Sequence, residues 1–317
     1  LKGTSLGGDT VSGVMLSHVS DAVVAGCVFS DFEGGAVSTT MQTFWGDGHA
    51  YGPVPSGGIA AAILANLSPG LRAVGNTVQG LTGGVGTPQI NSGGSPGAGG
   101  VAAGVYLTSA PSAFLSGNVF TDIVGGSGGS GWTHIAQQAY GLYLDEASMS
   151  AQVLMDNSID GDLIVFLSGV EDVVVQGLTL TGLAQPTNLG KIVVVDSQAV
   201  TIQGNTISQA RGETGETAAM YVVYDYITHP GGPSRGIYLR GCTDCLVWGN
   251  DVHDVLGGRG GMRSDDYNPP SGDGGPATGI DAVDCAGLEV AGNTVRQVIG
   301  NSCGTGTYCK VGDAAAY

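Results

Sequence analysis

Residues 237–255 read IYLRGCTDCLVWGNDVHDV, and residues 280–298 read IDAVDCAGLEVAGNTVRQV. The two stretches align without a gap and share seven apolar positions. In the first stretch these positions are occupied by Ile237, Leu239, Cys242, Cys245, Val247, Val252 and Val255. Apolar residues two or three positions apart are typical of short strands separated by turns. In both stretches a Gly-Asn pair lies between the fifth and sixth apolar positions.

The same pattern recurs along the whole chain. Eight copies align on one slot, which holds Asn76, Asn118, Asn157, Asn205, Asn250 and Asn293 in six copies and Cys27 and Leu178 in the other two. The closest slots, Asn157 and Leu178, are 21 residues apart. Strands this short cannot bury a face alone, so the copies must stack on one another as coils.

A coil of this length with three short strands resembles the right-handed parallel β-helix of the pectate lyase-like superfamily. We therefore expect an all-β, single-stranded solenoid of about eight recognisable coils over residues 1–300. Residues 301–317 form a Cys-containing segment that continues the solenoid or leads to further sequence. The resemblance implies that the Asn column forms a ladder, in which each side-chain amide bonds the coils above and below. The alternative is that Gly-Asn only marks turns.

Composition limits the partners that this chain can have. Lys and Arg together number 10 against 27 Asp and Glu, which gives a formal net charge of -17. With so few cationic side chains, we expect neither nucleic acid nor an anionic membrane surface as a partner. We find no apolar run of the roughly 18 residues that a membrane-spanning helix needs, so we expect no membrane insertion. The chain begins at Leu1, and we expect it to be a processed or trimmed piece of a longer protein.

Extra sequence in most copies falls between the last apolar position of one copy and the first of the next. All insertions should therefore leave the solenoid at one corner and form a loop-covered face. These Gly-rich loops hold much of the aromatic chemistry, and their candidate contacts with a glycan or a partner are Trp45, Tyr51, Trp132 and Tyr267. The alternative is that the loops are glycine padding that covers the sheet edge.

The resemblance implies that an enzyme of this superfamily would need carboxylates for Ca²⁺ and an Arg or Lys base. Asp265 and Asp266, next to Arg259 and Arg263, are the one place where both kinds of group gather, and hard oxygen ligands suit Ca²⁺. These residues lie in an insertion, however, whereas the family's sites lie on coil strands. A solvated loop turn explains them as well. We therefore assign no catalytic residue, expect no cofactor other than this weak Ca²⁺ candidate, and favour a non-enzymatic role.

The six cysteines bear on whether the protein works outside the cell. Cys303 and Cys309 enclose a short loop and are candidate disulfide partners. Cys242 and Cys285 occupy the same column in successive coils, so their Cα atoms should lie within disulfide range. Stacked buried thiols and a Cys242–Cys245 bridge are the alternatives. A disulfide would favour an extracellular or cell-surface protein.

The leading hypothesis is an extracellular structural protein, a β-helix subunit of a filament, fibre or adhesin. Its loop face and coil ends would associate with copies of itself, because an uncapped β-helix exposes edge strands. The alternative is a secreted polysaccharide lyase or glycoside hydrolase that acts on a cell-wall or extracellular glycan, and fold alone does not decide between the two.

Overall fold

The structure is a computed structural model that describes residues 8–36, 56–87, 97–128, 139–145, 150–182, 190–215, 230–260, 273–302 and 314–315. The chain divides into two compact units, Leu1–Met149 (unit 1) and Ser150–Tyr317 (unit 2). Among the described residues the only regular secondary structure is β-strand, and no helix is long and apolar enough to cross a membrane.

Unit 1 contains ten strands in three parallel sheets. Sheet 1 consists of β1 (Val11–Ser17), β4 (Ala60–Asn66), β7 (Ala102–Thr108) and β10 (Ala139–Asp145). Sheet 2 consists of β2 (Val23–Ala25), β5 (Arg72–Val74) and β8 (Phe114–Ser116). Sheet 3 consists of β3 (Val28–Ser30), β6 (Thr77–Thr82) and β9 (Val119–Val124). Each turn of the chain adds one strand to each sheet.

Unit 2 repeats this arrangement. Its sheet 1 consists of β13 (Ile164–Ser168), β16 (Ile192–Val195), β19 (Ser234–Arg240), β22 (Ala277–Val283) and β25 (Ala314–Ala315). Sheet 2 consists of β11 (Ser150–Met155), β14 (Glu171–Gln176), β17 (Gln198–Gln203), β20 (Leu246–Trp248) and β23 (Glu289–Ala291). Sheet 3 consists of β12 (Ser158–Ile159), β15 (Thr179–Leu180), β18 (Thr206–Ser208), β21 (Asp251–Leu256) and β24 (Thr294–Ile299). The predicted fold, a right-handed parallel β-helix, is confirmed.

The repeated apolar positions form the core. Val165, Ile192, Ile237 and Ile280 are paired in register across four successive strands of sheet 1 in unit 2. Ile237, Val247 and Val252 are fully buried, one from each sheet of the same coil. Three inward-facing columns therefore meet at the centre of the coil, as the constant offsets in the sequence predict.

The Asn side chains lie at the two-residue turns between sheets 2 and 3 and are hydrogen bonded between coils. The Asn205 Nδ2 group donates to Asn250 Oδ1 at 2.9 Å, and Asn250 Nδ2 donates to Asn293 Oδ1 at 2.8 Å. In unit 1, Asn76 Nδ2 donates to Asn118 Oδ1 at 2.9 Å. Asn157 occupies the same turn and is buried. Where the slot holds Cys27 or Leu178, its main-chain N–H donates to Asn76 or Asn205 Oδ1 of the next coil.

Many of the acidic residues serve the turns. Nine of the sixteen described non-glycine residues with positive φ are aspartates, a residue type that tolerates this left-handed conformation. Several of them pack onto a glycine of the next coil, where a Cβ would overlap the carboxylate, as in the pairs Asp196–Gly241 and Asp244–Gly287. A large share of the acidity is thus a consequence of turn geometry.

The long connections leave from the corner between sheet 3 and sheet 1, as predicted. Nineteen residues separate β6 from β7, and twenty separate β21 from β22, whereas sheet 2 and sheet 3 are joined by two residues in each coil. The corner between β12 and β13 is the exception, because residues 160–163 alone connect these strands.

At this corner the chain leaves the solenoid at the start of each long insertion and returns to it at the end. We call the outgoing and returning segments legs, and the two kinds alternate along the corner. In unit 1, Gly58 N donates to Gly35 O at 2.9 Å, Gly84 N to Gly58 O at 2.8 Å, and Gly100 N to Gly84 O at 2.7 Å; Gly126 N donates to Gly100 O at 2.7 Å. A Cβ added at Gly84 would overlap main-chain atoms of Gly35 and Gly58. We call this column of hydrogen-bonded legs the glycine seam.

Unit 2 contains an equivalent seam. Gly232 N donates to Glu213 O at 2.8 Å, Gly258 N to Gly232 O at 2.8 Å, and Gly275 N to Gly258 O at 2.7 Å. Because each leg contacts its neighbours through main-chain atoms, glycine is required for space at most of its positions. The seam glycines allow the bases of the insertions to be hydrogen bonded to one another.

Replacing Gly84 with Ala should destabilise the protein by about 3 kcal/mol, because backbone atoms on two sides cannot make room for the methyl group. Gly75→Ala is the matched control. Gly75 has a φ of 62° with open space around it, so the substitution should cost only the strain of a left-handed alanine, about 1 kcal/mol. Urea unfolding followed by far-UV circular dichroism measures both, and equal costs would contradict the seam.

Candidate functional site

The outer face of sheet 1 in unit 1 carries a cluster of three tyrosines. Tyr106 on β7 and Tyr143 on β10 are paired in register, and their rings stack with centroids 4.4 Å apart and an interplanar angle of 12°. Tyr140 meets Tyr143 edge-on at 4.8 Å. The Tyr143 hydroxyl donates to Asp145 Oδ2 at 3.0 Å. The parallel register of β7 and β10 therefore builds a stacked aromatic surface.

The tyrosine cluster cannot act as a base near neutral pH. Burial, followed by the negative charge of its neighbours, raises the pKa of Tyr140 to about 12. Burial likewise raises the pKa of Tyr143. Both phenols stay protonated, so the cluster offers planar apolar rings and hydroxyl donors.

On sheet 1 of unit 2 the corresponding positions hold charges that neutralise one another. Arg235 pairs with Asp281 of the next coil, and its guanidinium lies 4.7 Å from the centroid of the Tyr238 ring. Arg235 and Asp281 are three-quarters buried or more at the side chain. This pair therefore stabilises the outer face of the sheet, where its charges are already matched.

The predicted Cys242–Cys285 disulfide is wrong, and so is the alternative Cys242–Cys245 bridge: Cys27, Cys242, Cys245 and Cys285 are all free thiols. Stacked parallel residues in register keep both Cα and Cβ atoms near 4.8 Å apart, whereas a disulfide needs Cβ atoms about 3.8 Å apart. The Cys242 sulfur lies within hydrogen-bonding distance of the carbonyl oxygens of Val194 and Arg240. A hydrogen bond from Cys242 lowers the pKa of Cys245 to about 7.

Lys191 is a buried amine at the corner where the insertion is shortest. The side chain is 3% exposed, and its Nζ donates to the Gly161 carbonyl oxygen at 2.7 Å. Burial lowers the pKa of Lys191 to about 8, although Asp162 and Asp160 partly oppose this shift. The Lys191 side chain therefore occupies the corner between sheets 3 and 1, which the glycine seam occupies in other coils.

Removing this amine should change how stability depends on pH. Between about pH 8 and 10.5 the native amine has lost its proton while the unfolded one keeps it, so stability rises with pH in this window. A shift of this size corresponds to about 3 kcal/mol. The stability of the wild type relative to Lys191→Met should increase by up to that amount from pH 7.5 to 10.5 in urea titrations. Parallel curves for the two proteins would contradict the buried charge.

The outer face of sheet 2 in unit 2 carries a strip without charged side chains, which the exposed Glu171 and Glu289 border and which no loop borders on the sheet 3 side. Its outward positions on four successive strands hold Val153, Met155, Val174, Gln176, Thr201, Gln203, Leu246 and Trp248. Among these described positions there is no charged side chain, and the Trp248 residue is 52% exposed. The Gln203 Nε2 group donates to Gln176 Oε1 at 3.0 Å, so even the amides partly satisfy each other. We call this surface the apolar strip.

Several residues singled out from the sequence lie outside the described residues. These are the aromatic candidates Trp45, Tyr51, Trp132 and Tyr267, the Ca²⁺ candidates Asp265 and Asp266, and the disulfide candidates Cys303 and Cys309. Within the described ranges no group of three or more His, Cys, Asp or Glu residues is arranged to hold a metal ion. The ladder asparagines are the predicted residues that the structure brings together.

Comparison with known proteins assigns the chain to no family. No protein-family model matches it, and no curated protein matches it significantly. A periplasmic alginate epimerase superposes with a TM-score of 0.33 and 10% identity, over 95% of this chain and 72% of that one. Tailspike protein 2 of an Escherichia coli O157:H7 bacteriophage superposes with a TM-score of 0.27 and 13% identity, over 92% of this chain and 38% of that one. The Streptococcus pneumoniae surface protein and adhesin PfbA superposes with a TM-score of 0.24 and 9% identity, over 94% of this chain and 84% of that one. Likeness at this level carries no information about activity.

Proposed function

We propose that the chain is a structural subunit of an extracellular assembly and that copies associate through the apolar strip. The observation that supports this most directly is a partly exposed strip without charged side chains on a protein with a formal net charge of -17. An exposed apolar patch is a common sign of an interface. Because sheets 2 and 3 are joined by two residues per coil, no insertion at that edge covers the strip.

The dimensions of the strip set the expected affinity. The four strands of the strip, spaced by about 4.8 Å, span about 14 Å, and each contributes only two outward side chains. Such a surface supplies less than the roughly 800 Å² per partner of a standard stable interface. We therefore expect weak association of an isolated pair. Repeated contacts along an assembly would raise the effective affinity.

The double variant Leu246→Glu/Trp248→Glu tests the strip. In sedimentation velocity the wild type should show a sedimentation coefficient that rises with concentration, because weak contacts fill by mass action. The double variant should stay at the lowest value throughout. The matched control is Thr77→Glu/Gln79→Glu, which adds the same charges two residues apart on the outward side of β6 in sheet 3. The control should behave as the wild type does.

Two results would contradict this function. One is concentration-independent sedimentation of the wild type; the other is release of sugar products from polysaccharides incubated with the chain. The second result would favour the alternative, a secreted polysaccharide lyase or glycoside hydrolase. The tyrosine cluster is the observation that keeps this alternative in view, because stacked, protonated phenols can contact a sugar face.

A further inference from the structure

A groove of about 350 Å³ lies on the outer face of sheet 3 in unit 2, on the strands farthest along the chain. Two outward columns form its walls and are held in register by the pairing of β18, β21 and β24. The first column consists of Gln209, Asp254 and Gln297, and the second of Arg211, Leu256 and Ile299. Its volume lies within the range of small-ligand clefts.

The groove exists because three strands bend at the same place. Gln209, Asp254 and Gln297 have φ values of 59°, 56° and 54°, which is the left-handed region. One such residue in each of three successive coils turns the chain by the same amount, and the outer face becomes concave. Since the bend repeats in register, the groove runs across the coils.

The residues at this bend are unusual for their conformation. Gln209 and Gln297 are the two glutamines with positive φ among the described residues, where aspartate holds most such positions. A non-glycine residue in this region costs roughly 1–2 kcal/mol, and strain of this kind clusters at functional sites. Glycine, which the chain uses freely at its other turns, would relieve the cost. The two amides therefore stand at a bend that is shared by three coils and lines the groove.

The lining chemistry points to a hydroxyl-rich ligand. The two amides both donate and accept hydrogen bonds, Asp254 accepts, and Arg211 donates, so the groove can match hydroxyl groups that act in both ways. Asp254 is 43% exposed at the side chain, and its Oδ2 lies 2.8 Å from Nδ1 of His253. That contact orients the carboxylate. Leu256 and Ile299 supply the aliphatic surface for the C–H face of a ring.

Charge favours a neutral ligand. Within the groove, Arg211 and Asp254 contribute one charge of each sign, while the whole chain carries a formal net charge of -17. A polyanion would be repelled by the field of the protein. We propose that this groove binds a short segment of a neutral saccharide, with Gln209, Asp254 and Gln297 bonding hydroxyl groups in successive coils. This site is separate from the apolar strip, and it does not depend on the proposed assembly.

The test uses the full chain, labelled with ¹⁵N, and a panel of neutral tetrasaccharides built from glucose, mannose, galactose or N-acetylglucosamine. At least one should shift the side-chain amide signals of Gln209 and Gln297. An oligogalacturonate of the same length should shift them less. The variant Gln209→Gly/Gln297→Gly removes both amides and relieves the strain, so it should be at least as stable as the wild type and should weaken binding tenfold or more.

Ala199→Gly is the matched control, because Ala199 has a φ of 52° on sheet 2, away from the groove. It relieves the same strain and should leave saccharide affinity unchanged. Asp254→Asn keeps a residue that tolerates the left-handed region and should weaken binding at least threefold, which tests the site independently of the glycine variant. The proposal is overturned if no neutral tetrasaccharide shifts these signals, if binding survives the double glycine variant, or if the oligogalacturonate binds more tightly.

Discussion

Main-chain hydrogen bonding between chain legs that approach too closely for side chains is the constraint on which the rest of this structure depends. In each unit, the corner between sheets 3 and 1 carries two crossings of the chain in each coil that has a long insertion. The seam accommodates both because glycines such as Gly58, Gly84 and Gly100 have no Cβ. Long insertions can therefore leave the solenoid while their bases remain hydrogen bonded, and neighbouring coils keep their register.

The coil architecture could be predicted from the sequence because its determinants are local and repeated. Inward positions such as Val247 and Val252 have to be apolar in each coil, and the turn slot of Asn250 bonds its neighbours through one amide. Both requirements leave fixed offsets that align without gaps. The corner used by the insertions followed from the same alignment, since extra residues fell between fixed strand positions.

Features that depend on contacts between outward-facing or closely packed groups could not be predicted in the same way. The glycine seam leaves only an excess of glycine, which also fits flexible padding. The tyrosine cluster was missed because the apolar columns direct attention to Val105 and Leu107, whereas Tyr106 lies on the opposite side of the strand. The Cys242–Cys285 disulfide was wrong because equal column position fixes the Cα spacing but also keeps the Cβ atoms apart.

The three sheets of unit 2 divide their outer faces by chemistry. Sheet 1 carries the matched charges of Arg235 and Asp281, sheet 2 the apolar strip, and sheet 3 a polar groove at a line of left-handed residues. Only 12% of the residues are charged, so much of the surface is left for contacts between neutral groups. The proposed assembly and the proposed saccharide site use different faces, so the two roles are compatible.

Hydrogen exchange of the seam amides tests the central claim most directly. The N–H groups of Gly58, Gly84, Gly100 and Gly126 each donate to the chain leg beside them. They should therefore exchange as slowly as amides within β7 when followed by NMR in D₂O. Exchange of these glycines at the rate of an unstructured chain, while β7 stays protected, would show that the insertion bases are not joined and would contradict the account.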